Sequence, residues 1–260
     1  SAQQVSALFD AGMLDGNQQH ESCIGLVEEH PFLKKQQRLT FARSGITDPI
    51  SIEDYIALDG FNGLKNAIAM QPQNIFDEVK TSGLRGRGGA AFPTGIKWQT
   101  VLDTPSEQKY IVCNADEGDS GTFADRLVME CDPFMLIEGM TISGLAVHAT
   151  QGYIYLRSEY PVAHKLLNEA IERAYKAGYL GEDILGSGKR FDLEVRLGAG
   201  AYICGEETSL LDSLEGKRGL VRAKPPLPAI VGLFGQPTVV NNVLSFAAVP
   251  YILDKGGQSY

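Results

Sequence analysis

From Tyr110 onwards, the chain alternates between short apolar runs and longer segments with helical spacing. Runs that are fully apolar or strictly alternating predict strands at 110–113, 153–156 and 192–197. Apolar residues at helical spacing predict helices at 134–145, at 163–174 and from Glu206 to about Glu215. Alternating strands and helices predict an α/β fold, here a Rossmann-like three-layer sandwich with a mostly parallel sheet.

The first 80 residues are mostly polar and have a helical pattern. Ser51 and Asp54 stand at capping-box spacing before a short helix, and Pro72 fits the first turn of another. No linker or repeat separates this segment from the rest. We therefore expect residues 1–80 to form an N-terminal helical arm and residues 81–260 to form one α/β domain.

The composition is that of a soluble globular protein, with 43% hydrophobic and 21% charged residues. A net charge of −9 argues against nucleic acid as a partner. No run approaches the roughly 18 apolar residues that span a bilayer, and no secretory leader follows Ser1. We therefore expect no direct membrane insertion and a cytoplasmic location.

The four cysteines, Cys23, Cys113, Cys131 and Cys204, are far apart, and none belongs to a C-x-x-C motif. The histidines show no metal-binding spacing either. This pattern predicts reduced cysteines and neither a zinc site nor an iron–sulfur cluster within these 260 residues.

A glycine-rich segment at 83–98 is the strongest candidate for ligand binding. It places four glycines among two arginines, and Lys97 follows shortly after. Glycine lets the backbone come close to a ligand, and successive N–H groups in such a loop can surround an anion. The alternative is a mobile surface loop, but a flexible linker would not carry Phe92-Pro93 and Lys97-Trp98.

The standard nucleotide motifs fail in context. Gly86-x-Gly88-x-x-Ala91 has the Rossmann spacing, but no strand precedes it and Phe92-Pro93 follows where the helix should begin. The polar loops 114–119 and 198–205 both follow predicted strands, so a parallel sheet would bring them to one site. Glu206 and Glu207 begin a helix there, and the simpler interpretation is that they stabilise its first turn.

Four segments of the chain resemble, in the same order, segments of one family of flavoproteins. They lie at 82–98, 113–126, 198–216 and 224–242. This family comprises the NADH-binding subunits of respiratory complex I and the diaphorase subunits of NAD-reducing hydrogenases and NAD-dependent molybdenum formate dehydrogenases. The resemblance implies bound FMN with NAD(H) stacked on it, and hydride exchange between the two. It also implies single-electron transfer to the iron–sulfur subunits of a multisubunit complex.

The resemblance also implies a role for each site residue. Around the flavin phosphate and ring it places Gly86, Arg87, Gly88, Gly89 and Lys97. At the ribityl chain and ring edge it places Asn114, Asp116 and Glu117, with Tyr202, Gly205, Glu206 and Glu207 on the opposite loop. Val240, Asn241, Asn242 and Ser245 close the phosphate end. Phe92 stacks on the adenine, and Glu207 and Lys224 meet the dinucleotide's ribose and phosphates. No acid–base catalyst and no metal ligand is predicted.

Two departures from the complex I pattern distinguish the branches of the family. Thr100 and Leu227 stand where complex I members have aromatic residues, and Asp119-Ser120 replaces a Glu-Pro pair. These features favour a formate dehydrogenase subunit, with a hydrogenase or complex I subunit as the alternatives.

Family members continue into a ubiquitin-like domain and a helical domain with a four-iron four-sulfur cluster, which we do not expect in this chain. Two hypotheses from other classes stay open: a flavin-free structural interaction module and an unrelated phosphate-ligand domain. The carboxylate of Glu207, facing an adenosine ribose, predicts a preference for NADH over NADPH.

Overall fold

The computed structural model describes residues 2–26 and 29–260. Ser1, Val27 and Glu28 of the predicted arm therefore lie outside the described residues. The chain divides into two compact units, residues 1–38 and 39–260. The first contains helix α1 (Val5–Asp10) and the short 3₁₀ segments Ala2–Gln4 and Met13–Asp15. Residues 39–80 belong to the same unit as the sheet, and the domain boundary at residue 80 stays a prediction.

Within the described residues, four parallel strands form one sheet in the order β3-β2-β1-β4. Their bounds are β1 Tyr110–Ala115, β2 Gln151–Leu156, β3 Asp192–Leu197 and β4 Thr238–Asn242. The chain adds β2 and β3 on one side of β1 and then returns to place β4 on the other side. This reversal makes the β1–β4 pair a topological switch point, where the carboxyl ends of the strands open a crevice.

The helices of the second unit cover both faces of the sheet, which confirms the predicted α/β class. In chain order they are α2 Ile52–Ala57, α3 Asn62–Ala69, α4 Pro72–Thr81, α5 Thr94–Asp103, α6 Ala124–Cys131, α7 Pro133–Val147, α8 Pro161–Lys176, α9 Glu207–Leu214, α10 Val243–Ala247 and α11 Val249–Lys255. Helix α7 contacts β1 and β2 on one face. On the other face, Leu210 and Leu211 of α9 pack with Val112 and Val240.

The strand predictions need correction at three points. Strand β2 begins at Gln151, two residues before the predicted start at 153. The strand predicted at 110–113 continues through Asn114 and Ala115, because Asn114 pairs with Tyr155 on one side and Asn242 on the other. Strand β4 is absent from the sequence prediction, although its last residues were predicted as site residues. Its five residues are too short to show a period of their own.

Helix α7 is the centre of the core, since every one of its residues is buried. It has no polar face, as expected of a helix packed on all sides. Gly139 and Gly144 allow close neighbours: an added Cβ would lie 2.1 Å from the Phe246 carbonyl oxygen at Gly139 and 2.5 Å from the Phe191 ring at Gly144. The neighbouring helices therefore pack closely against α7.

One buried carboxylate, Glu138 on α7, joins the segment before the glycine-rich loop to this core. It is 1% exposed and accepts hydrogen bonds from the Tyr55 hydroxyl at 2.5 Å and from the Phe61 and Leu64 N–H groups at 2.9 Å. Burial raises the pKa of Glu138, while these three donors oppose the shift. The segment that contains α2 and α3 is thereby attached to α7.

Within the part of the chain that the structure describes, no helix is long and apolar enough to cross a membrane.

Candidate functional site

Two adjoining cavities open where β1 and β4 end. The first has a volume of about 520 Å³ and the second about 440 Å³. Gly88, Asn114, Gly205, Glu206 and Asn242 lie on the walls of both. Each volume falls in the range of roughly 300–1,000 Å³ that is usual for small-molecule sites.

The structure brings all the predicted site residues to these two cavities. Besides the shared residues, the first is lined by Gly86, Phe92, Lys97, Glu207, Lys224, Val240, Asn241 and Ser245. The second is lined by Arg87, Gly89, Asp116, Glu117 and Tyr202. Their individual roles toward a ligand stay predictions.

The glycine-rich loop is folded back on itself and pressed against the start of α10. Its ends are closed by a hydrogen bond from the Gly86 N–H to the Phe92 carbonyl at 2.8 Å. The Arg87 N–H donates to Ser245 Oγ at 3.0 Å. An added Cβ on Gly88 would lie 3.3 Å from Asn242 Cβ, tighter than most real contacts. Glycine at position 88 therefore lets the loop lie this close to β4.

The cationic side chains of this region are held by neighbours. The Arg87 guanidinium donates to the Tyr260 hydroxyl and stacks over its ring. Lys97 Nζ donates to the Val240 carbonyl at 2.7 Å and lies 3.4 Å from Glu207 Oε2. The positive charge of Lys97 is thus placed at the end of β4, inside the first cavity.

The acidic loop after β1 is fixed by its own hydrogen bonds. The Glu117 carboxylate accepts from the N–H groups of Asp125 and Arg126 at 3.0 and 3.1 Å and from the Tyr160 hydroxyl at 3.0 Å. It therefore caps α6, and the predicted flavin contact would involve a carboxylate that already has three donors. Burial raises the pKa of Asp116 to about 6, although nearby Arg157 opposes this shift.

Glu206 and Glu207 differ in their local roles. Glu206 is the N-cap of α9, because its Oε2 accepts from the N–H groups of Thr208 and Ser209 at 2.8 and 3.0 Å. Burial opposes its ionisation, but the hydrogen bonds from Thr208, Ser209 and Lys224 outweigh burial and hold the pKa of Glu206 at about 2. The simple helix-start interpretation is therefore correct for Glu206.

Lys224 connects the two glutamates. Its Nζ lies 3.0 Å from Glu206 Oε1 and 2.7 Å from Glu207 Oε1. With Lys97 on the other side of Glu207, these residues form a cluster of two positive and two negative groups. We call Lys97, Glu206, Glu207 and Lys224 the lysine–glutamate cluster. Glu207 is thus paired in space although no basic residue adjoins it in sequence.

Tyr202 covers the acidic loop at the edge of the second cavity. It is 72% exposed, and its hydroxyl donates to Asp119 Oδ1 at 2.9 Å. Gly118 lies beneath the ring, where an added Cβ would come within 2.7 Å. The hydrogen bond to Asp119 raises the pKa of Tyr202.

The asparagines at the end of β4 point to different partners. Asn241 is 7% exposed. When its amide is oriented so that both the oxygen and the NH₂ group have partners, the oxygen accepts from Trp98 Nε1 at 3.3 Å. Asn242 caps α10 through its Oδ1, which accepts from the Ser245 N–H at 3.1 Å. Asn242 is therefore the one of the pair that connects the sheet to the glycine-rich loop.

The structure adds cavity residues that sequence reasoning missed. Among them are Pro228, Ala229 and Thr238 in the first cavity and Thr122, Asp125 and Leu244 in the second. Asp125 stands in the first turn of α6, where an acidic residue is ordinary, so the sequence offered no signal for it. Burial and the charge of Glu117 raise the pKa of Asp125 to about 7, and a hydrogen bond from the Leu244 backbone opposes the shift.

The crevice fits a flavin mononucleotide. The glycine-rich loop leaves little room for a Cβ at position 88, and the wall behind it carries amides and carboxylates that suit a polyhydroxyl chain. The first cavity is also lined by Phe92, Leu227 and Pro228, apolar residues that suit an aromatic ring. Among the described residues, no group of three or more His, Cys, Asp and Glu side chains could hold a metal ion.

Comparisons with a family model and with individual proteins point to the same family. The family described as "Nuo51 FMN-binding domain" matches residues 79–251. The chain is 54% identical over 223 residues to the NADP-reducing hydrogenase subunit HndC of Solidesulfovibrio fructosivorans, a match that covers 86% of this chain and 45% of that protein. It is 52% identical over 210 residues to a subunit of the NADH-quinone oxidoreductase of Aquifex aeolicus, with 81% and 49% covered.

Among solved structures, the chain is similar to an NAD⁺-reducing [NiFe]-hydrogenase in the H₂-reduced state. The TM-score is 0.74 at 36% sequence identity, over 86% of this chain and 36% of that one. The chain spans about half the length of the curated relatives that it matches. By its sequence match and by the geometry of its crevice, the chain belongs to the Nuo51 FMN-binding domain family.

Proposed function

We propose that this chain is the NAD(H)- and FMN-binding module of a larger redox complex. It would exchange hydride between NAD(H) and bound FMN and pass single electrons to the iron–sulfur clusters of partner subunits. The observation that carries the proposal is the pair of adjoining cavities at the β1–β4 switch point, with the glycine-rich loop on one side and the lysine–glutamate cluster on the other.

The chain's own residues bind and orient rather than transfer protons. The Gly86–Gly89 backbone would approach the flavin phosphate, and Asn114 would orient the polar chain from the end of β1. Phe92 would stack on the adenine, while Lys224 and Glu207 would meet the phosphates and ribose of the dinucleotide. Bound FMN supplies the conversion between two-electron and one-electron transfer. Catalysis then depends on holding two cofactors in contact, so no acid–base residue is assigned.

The parent complex is a finer proposal. Asp119-Ser120 and Leu227 favour a formate dehydrogenase, whereas the relatives named above belong to a hydrogenase and to an NADH-quinone oxidoreductase. All three parents would supply iron–sulfur partner subunits. We also propose a cytoplasmic location, which rests on the four free cysteines of the described residues, as is usual in a reducing compartment.

A cofactor analysis of the purified chain tests the proposal. Acid release followed by chromatography should recover one FMN per chain and no FAD, and NADH should bleach the flavin absorbance. Gly88→Val should abolish FMN binding, since even a Cβ at this position lies 3.3 Å from Asn242 Cβ. Gly83→Ala is the control: nothing lies within 4 Å of its added Cβ, although its φ of +66° strains the turn.

Recovery of FAD, or full flavin content in Gly88→Val, would contradict the cofactor assignment. A folded wild-type chain without any flavin that also fails to bind added FMN would favour the structural interaction module instead.

A further inference from the structure

A continuous chain of hydrogen bonds joins helix α6 to the glycine-rich loop. Asp125 Oδ1 accepts from Asn242 Nδ2 at 3.4 Å. Asn242 Oδ1 in turn accepts from both the N–H and the hydroxyl of Ser245. The Ser245 hydroxyl oxygen then accepts from the Arg87 N–H at 3.0 Å. We call these four residues the Asp125 chain; it links α6, β4, α10 and the loop that lies between the two cavities.

The direction of the Asp125 chain is set on both sides of Asn242, since the Ser245 N–H can only donate to the Asn242 oxygen. An asparagine side chain has an acceptor end and a donor end, and it can turn either toward a neighbour. An ionised carboxylate can only accept, so Asp125 requires the Asn242 NH₂ group. The Asn242 oxygen is then left facing Ser245, whose hydroxyl donates to it and keeps its lone pairs for the Arg87 N–H.

We propose that Asp125 is a positioning residue for the flavin site, which orients Asn242 and through it holds the Gly86–Gly89 backbone in the geometry that receives FMN. The inference rests on the FMN binding proposed above. Asp125 is 9% exposed and Ser245 is fully buried, so little solvent competes for these bonds. Asp125 acts on the loop through Asn242 and Ser245 and needs no contact with the cofactor.

The surroundings of Asp125 distinguish a role in positioning the loop from a role in stabilising the fold. Its carboxylate faces Glu117 of the acidic loop, the Cys113 thiol of β1 and the Leu244 backbone of α10. Burial and Glu117 raise its pKa to about 7 from an ordinary 3.8. Because its pKa is higher in the folded protein, Asp125 makes its full contribution to stability below pH 3.8, and this contribution is lost as the pH rises through about 7. At pH 8 the ionised carboxylate therefore does not stabilise the fold.

The test is an FMN titration of the flavin-free full chain at pH 8, followed by flavin fluorescence, in Asp125→Asn. The amide keeps the shape but can offer either end to Asn242, so we expect FMN affinity to fall by about tenfold, the effect of one net hydrogen bond. Urea unfolding of the flavin-free variant should show stability equal to or above wild type. Glu130→Gln is the control, because it removes the same charge from α6 at a residue that lines neither cavity and lies outside the Asp125 chain, and it should bind FMN nearly as wild type does.

A double-mutant cycle with Ser245→Ala tests the connection. If Asp125 acts through Ser245, the double variant should bind FMN no more weakly than the weaker single variant. Amide hydrogen exchange in residues 84–92 should be faster in both single variants and unchanged in β2. Should Asp125→Asn fail to fold, Ser245→Ala alone decides, and wild-type affinity and exchange in it would overturn the inference.

Wild-type FMN affinity in a folded Asp125→Asn, or fully additive losses, would overturn the positioning role and leave the proposed function intact. Failure of the wild-type chain to bind FMN would count against the proposed function itself.

Discussion

At the scale of single residues, the pairing of Glu207 changes the argument for cofactor choice. A lone carboxylate at the adenosine ribose would repel a 2′-phosphate by a few kcal/mol at an effective dielectric of about 20. The structure instead places Lys224 at 2.7 Å and Lys97 at 3.4 Å from Glu207. Discrimination against NADPH therefore depends on how much of the positive charge of Lys97 and Lys224 is neutralised by Glu206 and Glu207. One relative, HndC, is described as a subunit of an NADP-reducing hydrogenase.

Glu207→Gln should raise the rate of flavin reduction by NADPH relative to NADH by about tenfold or more, because it leaves one positive charge unpaired in the cluster. The measurement is flavin bleaching with each nucleotide in wild-type and variant proteins. Glu207 does not cap α9, so urea unfolding should show little loss of stability. An unchanged ratio with lower stability would assign Glu207 a structural role only.

At the scale of secondary-structure elements, the start of α9 depends on an ionised cap. The pKa of Glu206 is held at about 2, below its ordinary 4.5, so its stabilising contribution is complete above about 4.5 and is lost as the pH falls toward 2. Glu206→Gln should lower stability at pH 7 by about 1 kcal/mol, as expected for an N-cap. The difference from wild type should shrink between pH 4.5 and 2 in urea unfolding. A difference that is constant with pH would contradict the ionised cap.

The attachment of α2 and α3 to α7 depends on Glu138. Glu138→Gln should lower the free energy of unfolding by about 3 kcal/mol, because the amide NH₂ would face donors that the carboxylate now satisfies. Glu172→Gln on α8 is the matched control: this exposed residue pairs with Lys176 at i,i+4, and its loss should leave the free energy of unfolding nearly unchanged. Thermal or urea unfolding measures both. Equal, small effects would show that the buried carboxylate does not stabilise this packing.

At the scale of the whole molecule, the four cysteines are far apart in sequence, and all four are free. Cys113 and Cys204 are buried, and burial raises the pKa of the Cys113 thiol, which disfavours the thiolate needed for metal binding. We therefore expect the purified 260-residue chain to contain flavin and no stoichiometric iron. Colorimetric iron analysis beside flavin quantification checks this, and one or more iron atoms per chain would contradict it.

The sequence by itself determined the α/β class, the parallel strands β1 to β3, the main helices and the four segments that meet at the site. The fold class, these strands and these helices follow from the spacing of apolar residues. A strand or helix that buries one face must place its apolar residues at the period of that element. Residue types pointed to the glycine-rich loop and to the two polar loops after strand ends. The segment 224–242 was predicted only from the resemblance to the flavoprotein family.

Only the tertiary structure decided how these residues are paired. Strand β4 forms by pairing with β1 along its whole length, from Thr238 beside Tyr110 to Asn242 beside Asn114. The ion pair of Glu207 with Lys224 likewise joins residues that are distant in sequence. Glu117 caps a helix rather than presenting a free carboxylate, and Asp125 connects to Arg87 through two intermediate side chains. Hydrogen bonds and ion pairs are short-range and depend on direction, so they are fixed only when packing brings remote segments within about 3 Å of each other.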